Sequence, residues 1–191
     1  MRGSKKLIGF AALLLLVGGC VESLHALYSD RDVIYEPALI GVWTTGNGME
    51  EYAFTKSDQD NTYKLIAVDK DGKSGEFVVH LLKVKDTMFL DLYPADPQLP
   101  QNGFYQGHLL PTHSFVLVRQ IDPTLVVSDM DMDWTKKFLT DNPSSVGHEM
   151  VDDMPVLTAS TADLQAFLLA HLDANGPFSK TIELTRRAAA L

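Results

Sequence analysis

The chain has 191 residues, of which 46% are hydrophobic, and its 16 lysines and arginines face 25 aspartates and glutamates, a formal net charge of −9. So acidic a chain is repelled by phosphate backbones and by anionic lipid surfaces, which excludes nucleic acid as an expected partner. Cys20 is its single cysteine, so no intramolecular disulfide can form.

Arg2, Lys5 and Lys6 open the chain, an apolar run from Leu7 to Val17 follows, and Val17-Gly18-Gly19-Cys20 closes it. That order is a secretory signal. An apolar core of about a dozen residues is too short to span a hydrocarbon layer of roughly 30 Å, which takes about 20. The ending resembles the lipobox of bacterial lipoproteins, in which an aliphatic residue and two small residues precede an acylated cysteine. Here Val17 stands where leucine is commonest, and Gly18 where alanine or serine is.

The resemblance implies that residues 1–19 are removed and that Cys20 carries a diacylglyceryl group, usually with a third, amide-linked chain. Two or three acyl chains make a stable membrane anchor. Val21 follows in place of the aspartate that retains some lipoproteins in the inner membrane, so the implied address is the outer membrane with the domain facing the periplasm. The implied partner is the membrane, through the lipid on Cys20. The trimmed chain keeps 13 basic and all 25 acidic residues, a formal charge of about −12.

The rest suits one domain, residues 37–191, after an acylated N-terminus and short linker at 20–36. That linker mixes Leu24, Leu27, Tyr28, Val33, Ile34 and Tyr35 with charges, a composition that docks on the domain and does not hold it away as a polar tether. Beyond Pro37, short runs of β-formers alternate with Gly, Asp, Asn and Pro. They predict strands near Leu39–Thr45, Glu51–Lys56, Thr62–Asp69, Gly75–Val84, Met88–Tyr93, Ser114–Ile121, Leu125–Asp131 and Ser179–Thr185. Asp69-Lys70-Asp71-Gly72 and Lys85-Asp86-Thr87 are tight turns, so consecutive strands form an antiparallel meander.

Two short helices interrupt it. Asp133 is read as the cap of one from Trp134 to Asp141, stopped before Pro143. Ser160 or Thr161 caps the other, whose stripe is Leu164, Phe167, Leu168, His171 and Leu172 and whose stop is Asn175-Gly176-Pro177. The predicted class is β-rich α+β, a curved sheet or barrel with helices against it. Gly41-Val42-Trp43 after Pro37-Ala38-Leu39-Ile40 resembles the first strand of the lipocalins. That resemblance implies an eight-stranded barrel with Trp43 plugging its closed end, Arg186 packing across the tryptophan, and an open end that takes a small apolar ligand.

No motif predicts catalysis. There is no Gly-x-Ser-x-Gly elbow, and Glu50-Glu51 and Asp152-Asp153 are adjacent pairs whose side chains diverge on a strand. Asp129-Met130-Asp131-Met132-Asp133 lacks the glycine and glutamate of a calcium loop and reads as a solvated strand edge entering a helix cap. The six histidines show no metal-ligand spacing, and His80 reads as a core imidazole with a hydrogen-bond partner. No metal or cofactor is expected.

A hydrolase needs scattered groups to converge, and a cluster of His80, His113 and Asp91 in one cleft is its signature. The expected functional surface is the long connection from Pro94 to Pro111, with Phe104, Tyr105 and His108 over a barrel mouth or against a partner. Trp43 is the remaining candidate for ligand or partner binding. The expected function is a non-enzymatic binding or interaction domain on a lipid anchor in the cell envelope. The alternative is lipocalin-like carriage of a small apolar molecule.

Overall fold

The computed structural model describes residues 21–95, 102–173 and 175–188. Two short strands come first, β1 (Glu22–Ser23) and β2 (Val33–Ile34). After a 3-10 turn at Pro37–Leu39, seven strands form an antiparallel meander: β3 (Gly41–Thr45), β4 (Glu51–Lys56), β5 (Thr62–Val68), β6 (Ser74–Val84), β7 (Thr87–Pro94), β8 (His113–Gln120) and β9 (Thr124–Asp129). A helical turn, α1 (Gly103–Gln106), lies between β7 and β8. After β9 come α2 (Met132–Asp141), the hairpin of β10 (His148–Val151) and β11 (Met154–Leu157), α3 (Thr161–Ala170) and β12 (Ile182–Arg186).

The last strand closes the sheet. β12 pairs antiparallel with β9 on one side and β3 on the other, so β3 to β9 and β12 form a closed eight-stranded barrel. The two-residue period of a strand then sorts side chains between interior and exterior. Trp43 stands opposite Tyr52, which stands opposite Ala67, and Phe54, Leu65, Phe77 and Pro94 form the neighbouring inward row.

One end of the barrel is filled. Leu39, Trp43, Tyr63, Leu81 and Leu125 are fully buried there. The Trp43 indole N–H donates to the Leu39 carbonyl at 2.9 Å. The Arg186 guanidinium lies 4.1 Å from the centroid of the Trp43 ring and donates to the carbonyls of Ala38 and Ile40. Gly41, at φ +142°, lies where any Cβ would collide with that guanidinium. This is the architecture that the lipocalin resemblance implied, with Trp43 and Arg186 in the expected places.

A second core lies outside the barrel, where β6, β7 and β8 offer Leu82, Phe89, Phe115 and Leu117 to Leu139 of α2 and Leu164, Phe167 and Leu168 of α3. Ser160 caps α3 by accepting from Asp163 N–H, and the Trp134 and Phe138 rings stack at 4.7 Å on α2. The segment 21–36 docks as its composition predicts. β1 lies between β11 and β8, β2 pairs with β6, and Val21 and Leu27 join the outer core.

Two expectations need correction. The strand predicted to reach Asp131 ends at Asp129, so the three aspartates of Asp129–Asp133 do not share a face. Asp131, not Asp133, caps α2, accepting from Trp134 N–H at 2.8 Å, and also pairs with Lys180. The strands β1, β2, β10 and β11 and the turn α1 went unpredicted, because two- to four-residue elements in mixed sequence carry too few periods to read.

Candidate functional site

The other end of the barrel is open. Above the Trp43 layer, Tyr52 and Phe54 of β4, Leu65 and Ala67 of β5 and Phe77 of β6 face Leu90 and Leu92 of β7, Val116 of β8, Val127 of β9 and Ile182 of β12 across a cavity of about 570 Å³. The size lies within the range of roughly 300–1,000 Å³ that small-molecule sites occupy, and the wall is the usual apolar one. The predicted turn at Asp69–Gly72 forms part of the rim. Gly72 takes φ +77°, and the Asp69 carboxylate accepts from the backbone N–H groups of Asp71 and Lys73 at 2.9 Å each.

The charged groups at the mouth are mostly acidic: Glu22, Glu50, Asp69 and Asp129, with Lys73 as the one cation among the lining residues. Asp69 is committed to its turn, and Glu22 is exposed at the rim. Glu50 and Asp129 differ from both. Glu50 is only 8% exposed, and its carboxylate receives no hydrogen bond from the described residues. Asp129 continues the inward row of Leu125 and Val127, one step past the last apolar residue.

Burial pushes the Asp129 carboxyl up to about 6, and the neighbouring Glu50 adds to the rise. Glu50 is raised as well, by burial and then by Asp69, with Lys70 opposing. Both shifts report carboxylates held at an apolar wall without the donors that would favour their charge.

Neither acid was singled out from the sequence. Glu50 was paired with Glu51, whose carboxylate points outward to Arg187, and Asp129 was read with the acidic run that follows it. The period of two from Leu125 through Val127 is the signal that places Asp129 inside.

The residues expected to bind lie elsewhere. Trp43 is fully buried in the plug and does not line the cavity. Phe104 and Tyr105 of α1 and the nearby His108 form an exposed knob in the β7–β8 connection. Phe104 is 82% exposed, its ring lies 4.7 Å from that of His108, and Leu110 beyond them is 72% exposed. Pro94 and Thr112, nearer the ends of the same connection, line the cavity, so the knob belongs to the mouth end of the barrel. Pro97 and Pro100 lie outside the described residues, as does Cys20.

The cluster named for a hydrolase does assemble, on the outer face of the barrel. Asp91 stands opposite His80 in register, and its carboxylate accepts from His113 Nδ1 at 2.6 Å and from the Leu27 backbone N–H at 2.7 Å. Tyr28 covers the His80 ring at 4.2 Å, and burial holds the His80 pKa below its ordinary value, Asp91 opposing. Asp91 is wholly buried, and so is Ser23, the register partner of His113, whose hydroxyl donates to the His25 carbonyl at 2.8 Å. The carboxylate is enclosed and the hydroxyl is committed to the backbone, while the two imidazoles are partly exposed. The cluster is a clasp that fastens residues 23–28 to the barrel.

Among the described residues, no group of three or more His, Cys, Asp or Glu side chains is placed to hold a metal. No protein-family model, curated protein or solved structure matches the chain.

Proposed function

We propose that this protein is a lipid-anchored, non-enzymatic binding protein of the bacterial cell envelope whose barrel carries a small apolar molecule. The observation that carries the reading is the open, apolar cavity of about 570 Å³ above the Trp43 plug. A barrel built for stability alone fills its interior, since each void forfeits dispersion contacts and adds a cavity cost.

The anchor rests on the lipobox-like run Val17-Gly18-Gly19-Cys20. Val21 is buried and Glu22 lines the mouth, so a lipid on the residue before them leaves little chain between bilayer and rim. No polar tether intervenes, and the lipid keeps the mouth beside the bilayer, where apolar cargo partitions. Metabolic labelling with a palmitate analogue tests the anchor. The wild type takes the label and Cys20→Ser does not; equal labelling of both removes the anchor from the account.

Native mass spectrometry of the protein exported to the periplasm and purified without detergent tests carriage. The expected result is a discrete adduct lost on denaturation. A bare mass, with no uptake of added apolar dye, overturns it.

A second reading, docking of an envelope protein, rests on β10. It is the outer edge of the sheet and exposes Met150 and Val151 beside Met154 of β11, a surface that accepts an added strand. Crosslinking through position 150 in the envelope tests it, with a single discrete adduct as the supporting result.

A further inference from the structure

The cavity holds two features of different chemistry, an apolar body and a carboxylate pair, and together they define a ligand. We infer that the cargo is a small amphiphile with an apolar body and a single cationic, hydrogen-bond-donating head, an alkylammonium or similar group, seated between Glu50 and Asp129. The inference rests on the carrier reading and narrows it to one ligand class.

The argument begins with what the two acids lack. Glu50 is nine-tenths buried, lines the cavity and receives no hydrogen bond from the described residues. Asp129, close enough for the two to repel, points inward from the last position of β9. Two carboxylates held against an apolar wall without donors, and repelling one another, favour the arrival of a cation. An ammonium group supplies both the charge and up to three donors.

The other charged groups around the mouth do not meet this need. Asp69 is held by its turn. Lys70 acts on Glu50 only at long range and Lys73 stands on the rim, and neither makes an ion pair with Glu50 or Asp129. Glu22 is exposed and adds to the negative potential. A fatty acid entering the same cavity would bring its carboxylate against these acids, so the site discriminates by sign as well as by apolarity. Apolar wall and charged head act on separate parts of the ligand, which allows them to be tested separately.

The test uses the protein exported to the periplasm and purified without detergent. A neutral solvatochromic dye, Nile red, is displaced by decylammonium, decanol and decanoate, three ligands with one tail and different heads. The expected order is decylammonium, then decanol, then decanoate, with roughly tenfold between the first two, the scale of a charge-assisted hydrogen bond. In Asp129→Asn and Glu50→Gln the ratio of ammonium to alcohol falls towards one. In the wild type it also falls as the pH drops through the Asp129 value of about 6, because the neutral carboxyl no longer attracts the cation.

If decanoate binds as tightly as decylammonium while decanol also binds, the head-group inference is overturned and the carrier reading stands. A preference for ammonium that survives both substitutions overturns it too. If none of the three displaces the dye, the carrier reading itself falls.

Discussion

The two ends of this barrel are made from the same strands under the same alternation, yet they are finished in opposite ways. At the closed end Trp43, Tyr63, Leu81 and Leu125 are fully buried and the polar atoms are matched: the indole N–H to Leu39, the Tyr63 hydroxyl to the Glu36 carbonyl at 3.2 Å, and the Arg186 guanidinium to two carbonyls. At the open end Phe54, Leu65 and Phe77 leave a cavity, and two carboxylates at its wall receive no hydrogen bond from the described residues. One end is completed by the chain itself. The other is left open by the chain, and that is the physical basis for placing function there.

Substitutions at the two ends should therefore separate stability from binding. The largest effect belongs to Trp43→Ala, which empties the plug and removes the seat of the Arg186 cation; a loss of about 3–5 kcal/mol in denaturant unfolding is expected. A loss below about 1 kcal/mol would mean that the closed end is not packed as described.

Asp91→Ala comes next. It leaves the Leu27 N–H and His113 without their shared acceptor inside the outer clasp, for about 3 kcal/mol, with faster hydrogen exchange over residues 21–28. Because the clasp lies outside the cavity, dye affinity measured on the folded fraction should stay within about twofold, a factor worth roughly 0.4 kcal/mol. Greater loss of affinity would tie the strap to the site.

Asp129→Asn is expected to act with the opposite sign. The folded-state pKa of about 6 lies above the ordinary aspartate value of 3.8, so the folded protein holds the proton more tightly than the unfolded chain does. The wild type then loses stability as the pH rises from about 4 to about 6, and the deficit persists at neutral pH. Asparagine removes it. After allowance for the partial exposure of the carboxylate at the mouth, a gain of about 1–2 kcal/mol at neutral pH is expected, vanishing in acid. A substitution that stabilises the fold while weakening cation binding marks a residue kept for function. A destabilised Asp129→Asn would show that the carboxylate has a structural partner.

Much of the barrel was legible in the sequence because its strands are long enough for two or three periods of alternation and its turns carry their own chemistry. Glu51–Lys56 and the Asp69–Gly72 turn lie where they were expected. Trp43 and Arg186 were placed by a three-residue motif and a position near the C-terminus. The open end was harder to read. Glu50 stands one step before β4 and Asp129 at the last position of β9, where an acid looks like the start of a loop, and only closure by β12 brings them together. His80, Asp91 and His113, read from the sequence as the signature of a hydrolase cleft, form a clasp instead, a role that the sequence hides because they are spaced by register across three strands and not by any interval along the chain.

The central claim is that the open end is a ligand cavity, and its most direct test is saturable binding of Nile red to the wild type and to Ala67→Phe, which puts an aromatic ring into the cavity from the middle of its wall. The account predicts one dye per wild-type chain, loss of that binding in Ala67→Phe, and unfolding midpoints that remain close together. Equal binding by both proteins, or none by the wild type, would contradict it.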